Sequence, residues 1–402
     1  MAHGQKMFSC ARNIEVLQNM LIRNLQLNCA DGIAKLSAEI TWARGDGAVV
    51  WFSVPVEWAE WFCVDRYDGF LVAMLHQAVF CGEDIVIDGG VSSKLWHNLK
   101  FGYLPMICWA AGRPSIRLEP SQLVTTEFPA AGVVTGFSGG VDSFATMKLH
   151  YLLESSADFR INHLLFNNVG SHGRNEGSLT RSTADAARVL FLQRSREVKP
   201  IAEKFGVPLI VVDSNVAEVF PINFLKMHHA LNAAVPLVLQ NAICRYYYAS
   251  TYKFADCVGY GYDDISRLDP MALHLLSTET LDVTSTGCQF SRVEKTLLIE
   301  NDEICQQHLN VCVDASLEGK NCSTCFKCAR TIFTLERIGA IEKYSDVFDV
   351  KKFQSVRRSY IKSLILSRPY TFEREIAEEL FSPQSSLHRF VFQLGRFYRG
   401  LN

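Results

Sequence analysis

Residues 133–143 read Val133-Val134-Thr135-Gly136-Phe137-Ser138-Gly139-Gly140-Val141-Asp142-Ser143. An apolar run over 133–137 breaks into a Ser-Gly-Gly turn, and a helix-compatible stretch follows from Asp142 to Leu149. A strand that passes through a glycine turn into a helix start is an anion site. The first amides of the helix lack partners, and the helix dipole favours negative charge there. Gly139 and Gly140 carry no Cβ, so the backbone can come close to a phosphate. Ser138 and Ser143 add hydroxyl groups. Asp142 would repel a bare phosphate, so it points to a Mg²⁺ ion or to a capping role. The other common phosphate loop places four residues between its glycines and Lys-Ser or Lys-Thr after them, a pattern absent here.

From Val133 onward, strand and helix patterns alternate. Strands are expected over 133–137, 161–167, 208–213 and 256–260, and helices over 143–154, 179–205 and about 224–253. Such alternation specifies a parallel sheet covered by helices on both faces. Ligands bind such sheets outside the carboxyl ends of the strands. The loop 138–143 ends the first strand. Asn167-Asn168-Val169-Gly170 follows the second, Asp213-Ser214-Asn215 the third, and Gly259-Tyr260-Gly261-Tyr262-Asp263-Asp264 the fourth. All four segments are expected to converge on one crevice, with Asn167 and Gly259 bordering the bound phosphate ligand.

Residues 1–125 read as a smaller α+β domain. Strands are expected over 33–42 and 49–56, joined by the turn Arg44-Gly45-Asp46-Gly47, and over 84–88 and 115–118. Helices are expected over 58–81 and 92–111. Trp51, Phe52, Trp58, Trp61 and Phe62 read as core, and no nucleophile–base pair or metal spacing occurs. Pro120 and Pro129 lie among polar residues, which places a boundary at 119–131. Residues 341–402 read as a helical C-terminal extension with basic amphipathic faces (Lys351, Lys352, Arg357, Arg358, Lys362).

The chain has 402 residues and is 48% hydrophobic, which suits two or three packed domains and excludes disorder. A formal net charge of −2 supplies no global field to attract nucleic acid or an anionic membrane. No run of about 18 uncharged apolar residues occurs, and the first ten residues lack a signal-peptide core. Thirteen cysteines without a secretory signal fit a reducing, cytoplasmic setting, where they act as buried thiols, metal ligands or catalytic groups.

Four of them form a second signal: Cys312, then Cys322-Ser-Thr-Cys325-Phe-Lys-Cys328. Cysteines at i, i+3 and i+6 can surround one point, and Cys312 can reach back across a loop. Four thiolates fit tetrahedral Zn²⁺, with an iron–sulfur cluster as the rival. A site closed by four protein ligands is structural rather than catalytic. Lys320, Lys327 and Arg330 offset its negative charge.

The string Ser-Gly-Gly-Val-Asp-Ser resembles the pyrophosphate-binding loop of the N-type ATP pyrophosphatases, the PP-loop superfamily. Together with the cysteine pattern it is similar to 7-cyano-7-deazaguanine synthase and its relatives, over about residues 130–340. The resemblance implies an α/β fold with a parallel-sheet PP-loop domain (adenine nucleotide alpha hydrolase-like) at 130–340, including a zinc module at 312–328. It implies that ATP is cleaved between its α and β phosphates, that a carboxylate such as 7-carboxy-7-deazaguanine is adenylated, that ammonia or another amine displaces AMP to give an amide, and that with ammonia a second activation by ATP turns the amide into the nitrile. Relatives reused in antiphage or specialised pathways extend the acceptor to a protein or peptide. The implied loop residues are Ser138, Gly139, Gly140, Val141, Asp142 and Ser143, and the implied zinc ligands are Cys312, Cys322, Cys325 and Cys328. Lys295 matches the family's phosphate-facing lysine. Tyr260, Asp263, Asp264 and Asp269 match its substrate-facing stretch.

Catalysis on this reading is positional and electrostatic. Ser138, Asp142 and Lys295 are the catalytic candidates, ATP, Mg²⁺ and Zn²⁺ are the implied cofactors, and a homo-oligomer is compatible with the chain. Two rival functions are a tRNA-thiolating sulfur transferase and a catalytically silent nucleotide-binding module. His228-His229, in an apolar helical stretch, reads as structural. The run Arg174, Arg181, Arg188, Arg194, Arg196 and Lys199 reads as a solvated helix face, with one or two members reaching the phosphates as the sharper alternative.

Overall fold

The computed structural model describes residues 19–172, 181–219, 224–257, 264–312 and 320–380. One ten-stranded sheet runs through the chain in the order β10-β9-β6-β7-β8-β3-β2-β1-β4-β5. The strands are β1 (Asn19–Ala30), β2 (Ile33–Thr41), β3 (Gly47–Pro55), β4 (Asp84–Ser92), β5 (Leu118–Val124), β6 (Gly132–Gly136), β7 (His163–Asn167), β8 (Leu209–Ser214), β9 (Ile243–Ala249) and β10 (Asp282–Thr286). The helices are α1 (Asp68–Cys81), α2 (Ser93–Asn98), α3 (Leu104–Ala111), α4 (Val141–Met147), α5 (Arg181–Phe205), α6 (His228–Val238), α7 (Asp269–Ala272), α8 (Arg292–Ile299), α9 (Glu303–His308), α10 (Phe326–Arg337), α11 (Val350–Ile365) and α12 (Phe372–Leu380). The fold is α/β with a mostly parallel sheet.

Strands β6 to β10 pair in parallel, as the alternation after Val133 predicts. Their side chains divide between two cores. Val134, Leu165, Ile210 and Tyr246 join one, with α1 and α6 packed over it. Val133, Leu164, Phe166 and Tyr247 join the other, under α4, α5 and α10. This is the two-residue period of a sheet buried on both faces. At Gly69 in α1 a Cβ would stand 2.4 Å from Val238 Cγ1 and 2.8 Å from the Ala234 carbonyl oxygen, so the close crossing of α1 and α6 requires glycine.

Several elements differ from the sequence expectation. Residues 224–253 are not one helix: α6 ends near Pro236, and Ile243-Cys-Arg-Tyr-Tyr-Tyr-Ala forms β9, the neighbour of β6. Pro236 donates no backbone hydrogen bond, and three consecutive tyrosines favour a pleated surface over a helix. The strand expected at 256–260 is not seen. Phe254–Asp256 is a 3₁₀ turn, and residues 258–260 lie outside the described residues. Strands β1 and β10 are additional. Asp31 (φ 52°) and Gly32 (φ 76°) form the two-residue turn that closes the β1–β2 hairpin, with Ala30 paired to Ile33.

The N-terminal segment continues the sheet. Strand β3 pairs antiparallel with β8 through Phe52–Ser214 and Ser53–Asp213. The boundary expected at 119–131 falls across the end of β5 and its link to β6. Buried Asp68 ties the halves further, accepting from the Ser92 amide at 2.8 Å and from Gln240 Nε2 at 2.9 Å. No helix among the described residues is long and apolar enough to cross a membrane.

Candidate functional site

Strand β6 delivers the chain to the Ser138–Ser143 turn at the carboxyl end of the sheet, and α4 leaves from it. Gly139 has φ +74°, a left-handed conformation with no close neighbour around a hypothetical Cβ; glycine is there for the backbone angle rather than for space. The Gly139 carbonyl accepts from the Asn310 amide at 2.8 Å, which holds the turn from outside. Ser143 Oγ donates to the Gly140 carbonyl at 2.9 Å, so this hydroxyl closes the first helical turn rather than standing free for a ligand. Ser138 is exposed. Residues 138–143 all line a cavity of about 1810 Å³. The first-turn amides of α4, which an α-helix leaves without internal partners, border the same space.

Asp142 lies between two cations. Arg292 Nη1 stands 2.9 Å from Oδ2, and Lys295 Nζ stands 3.2 Å from Oδ1. Lys295 is only 1% exposed and also donates to the Ser250 carbonyl (2.7 Å) and Ser250 Oγ (3.1 Å), just past the end of β9. Burial pushes the Asp142 carboxyl up, but Arg292 and Lys295 outweigh it and hold the group below its ordinary range. Both cations come from α8. Its start is set by a capping box in which Ser291 accepts from the Glu294 amide and Glu294 returns the bond to Ser291. Lys295, matched from the sequence to a phosphate-facing lysine, meets Asp142 from behind and is not among the residues that line the cavity. Arg292, not singled out from the sequence, lies three residues earlier on the same helical face, a spacing that could have flagged it.

Further groups line the cavity. Asn167 is 8% exposed, and its Oδ1 has no hydrogen-bond partner among the described residues. His172 Nε2 donates to the Asn167 carbonyl at 3.1 Å. Burial, with the nearby Arg194 charge, pushes His172 down to about 4, so it is neutral and holds one tautomer. Arg194 is the one member of the Arg188, Arg194, Arg196 run that lines the cavity, and burial shifts it downward from the ordinary guanidinium value. Arg188 is committed elsewhere, to Asp213 (3.0 Å) and Glu218 (2.8 Å). Lys327 and Arg330, one turn apart on α10, also face the cavity. The surrounding protein, together with Arg292, shifts Lys327 downward. Lys and Arg outnumber Asp and Glu in the lining by seven to four.

Cys312, Cys322, Cys325 and Cys328 bring their sulfurs within 4.8 Å of one another, a group able to hold a metal ion. The amides of Cys325 (3.1 Å) and Thr324 (3.4 Å) donate to Cys322 Sγ. Burial raises the Cys322 thiol, but these amides outweigh it and favour the thiolate. Ser323, between Cys322 and Thr324, has φ +63°, and its hydroxyl accepts from the Asp349 amide at 2.9 Å. The cluster is coupled to the loop: Cys312 follows two residues after Asn310, and Cys325 caps α10, the helix that presents Lys327 and Arg330.

Other expected residues lie elsewhere. Asp213 and Asn215 do not line the cavity. Asn215 accepts from the Trp51 amide (2.9 Å) and donates to the Val49 carbonyl (2.8 Å), stitching β8 to β3. Asp269 is fully buried, bonded to His229 at 2.9 Å, and is not among the residues that line the cavity. Burial pushes it well above the ordinary carboxyl range, and the chain of contacts continues from His229 to Tyr103 (2.7 Å) and His76 (2.8 Å). Asp264 accepts from Ser266 Oγ (2.6 Å) and lies 3.3 Å from His228, which meets the cavity-lining Tyr248 at 2.8 Å. The structural reading of His228-His229 agrees with these bonds. Gly259, Tyr260 and Asp263 lie outside the described residues.

No family model, curated protein or solved structure matches the chain.

Proposed function

We propose that the protein is an ATP-dependent carbon–nitrogen ligase that adenylates a carboxylate, releases pyrophosphate and passes the acyl group to ammonia or another amine. The observation that carries this reading is Asp142, set between Lys295 and Arg292 at the end of a central parallel strand and open to a cavity with an excess of cations. A glycine turn, helix-start amides and convergent cations together suit a polyphosphate.

ATP lies with its β and γ phosphates on residues 138–143. The carboxylate oxygen attacks the α-phosphorus, the bond to the bridging oxygen breaks, and the two electrons leave on pyrophosphate. Lys295, Arg292, Lys327 and Arg330 offset the charge that builds on that leaving group. The amine nitrogen then attacks the acyl carbon, gives up a proton and expels AMP. Both carboxylate oxygens of Asp142 are held by cations, so the donor set does not prefigure a protein-held Mg²⁺. Mg²⁺ enters here as part of MgATP. The four thiolates do fit Zn²⁺, which would supply a fixed scaffold for Asn310 and α10 and no reacting group. Cys312 is the single cysteine lining the cavity among the described residues, and it belongs to the cluster. That favours transfer to an amine over transfer of sulfur. A 7-carboxy-7-deazaguanine-like acid is the first substrate to try.

The test supplies the purified chain with MgATP, 7-carboxy-7-deazaguanine and ammonium, and follows AMP, pyrophosphate and the amide or nitrile by mass spectrometry. Asp142→Asn should slow pyrophosphate release at least ~100-fold. Release of ADP and phosphate instead, or equal pyrophosphate release from both proteins, contradicts the proposal.

A further inference from the structure

The segment after residue 341 has no part in the nucleotide chemistry sketched above, yet α12 reaches the cavity. Phe372, at its first position, lines the cavity with Arg292 and Arg330. The Arg330 guanidinium carbon lies 4.3 Å from the centre of the Phe372 ring, and that of Arg292 lies 5.0 Å from it. Phe372 in turn stacks on Tyr252, with centroids 4.9 Å apart and planes 2° from parallel, and Arg267 covers Tyr252 at 4.4 Å.

The rest of α12 grips the same two cation-bearing helices. Glu373 accepts from Arg330 Nη2 at 2.8 Å. Glu375 accepts from the Arg292 amide at 2.6 Å, and Glu379 accepts from Ser291 Oγ at 2.7 Å. These carboxylates meet the N-terminus of α8, where negative charge is favoured. The Nε atoms of Arg292 and Arg330 are buried without a hydrogen-bond partner among the described residues, and Arg330 is only 8% exposed. Each of these two nearly enclosed guanidinium groups is held by a carboxylate, Arg292 by Asp142 and Arg330 by Glu373, keeps a spare Nε donor, and lies beside the same aromatic ring on the cavity wall.

We infer that Phe372 is a positioning residue for the polyphosphate. Its ring fixes the guanidinium planes of Arg292 and Arg330 against the cavity wall, and α12 is a strap that completes the nucleotide site from the C-terminal side. An arginine side chain has many rotamers, and an aromatic face removes that freedom before the ligand arrives.

The inference rests on ATP being the ligand, and the experiment separates the two claims. Calorimetric titration of the full-length chain compares MgATP with AMP, which lacks the β and γ phosphates. Phe372→Leu keeps an apolar side chain of similar size but loses the π face. It should weaken MgATP binding roughly tenfold and leave AMP binding within about twofold. Phe372→Trp, with a stronger π face, should return MgATP affinity to within about threefold of wild type. Unchanged MgATP affinity in Phe372→Leu, or equal loss of both nucleotides, overturns the positioning role. A wild-type chain that binds neither nucleotide overturns the ATP reading, and the positioning role with it.

Discussion

Replacing Lys295 with Met tests the centre of the site. The buried Nζ donates to Asp142 and to two oxygens of Ser250, at 3.2, 2.7 and 3.1 Å. Methionine keeps most of the stem and removes all three bonds. Asp142 is left with Arg292 alone, and the Ser250 carbonyl is left buried without its donor. Breaking a buried ion pair by removing one partner costs about 3–5 kcal/mol. A domain of ordinary stability has about 5–15 kcal/mol in hand, so the variant should fold but unfold at clearly lower denaturant. Adding Asp142→Asn should recover part of this loss, because an amide tolerates the missing charge; a coupling of about 1–3 kcal/mol is expected in the double-mutant cycle. Urea unfolding of the four proteins measures it. On the ligase reading, Lys295→Met also slows pyrophosphate release ~100- to 1000-fold, and the double variant does not regain that rate. Strictly additive unfolding energies would refute the clamp, whatever the activity does. A Lys295→Met protein with wild-type pyrophosphate release would refute the charge-neutralising role.

Two other expectations follow from the geometry. Purified protein should be colourless with one zinc, and a chelator or Cys322→Ser should lower the melting temperature and MgATP affinity together, because the cluster holds Asn310 against Gly139 and starts α10; iron with visible absorbance would instead favour the sulfur-transferase alternative. Burial pushes Glu375 up to about 7, against the opposing Arg292 amide and Lys253. A carboxyl raised on folding contributes stability that is full below its unfolded value and is lost as pH rises through about 7. The loss is on the order of 3 kcal/mol between roughly pH 4.5 and 7, and Glu375→Gln should flatten that part of the stability–pH curve measured by thermal unfolding.

How far the sequence could be read depended on range. The Ser138–Ser143 turn, the strand before it and the helix after it follow from adjacent residues, and the structure agrees with the pattern there. The cysteine spacing likewise brings four sulfurs together, because three of them lie within two turns of chain. The β1–β2 hairpin was legible too, in Asp31-Gly32, but its exposed half-polar strand lacks the apolar run that draws attention to β6. The 224–253 stretch misled because an apolar helix and an apolar central strand share one composition, and only Pro236 and the three tyrosines separate them.

By itself, then, the sequence determined the local chemistry: a glycine turn able to hold an anion, a thiolate cluster able to hold a metal, and an alternating pattern that builds a parallel sheet. Only the tertiary structure decided which distant groups meet there. It placed Arg292 and Lys295 on the Asp142 carboxylate, enclosed Asp269 beside His229, and spent Asn215 on joining β3 to β8. It also brought Phe372, at the far end of the chain, between two arginines. Turn and capping preferences act within a few residues and leave a mark in the order of the chain. Sheet-edge pairing, burial and the convergence of charges are set by packing between segments from 40 to 164 residues apart, and no local pattern records them.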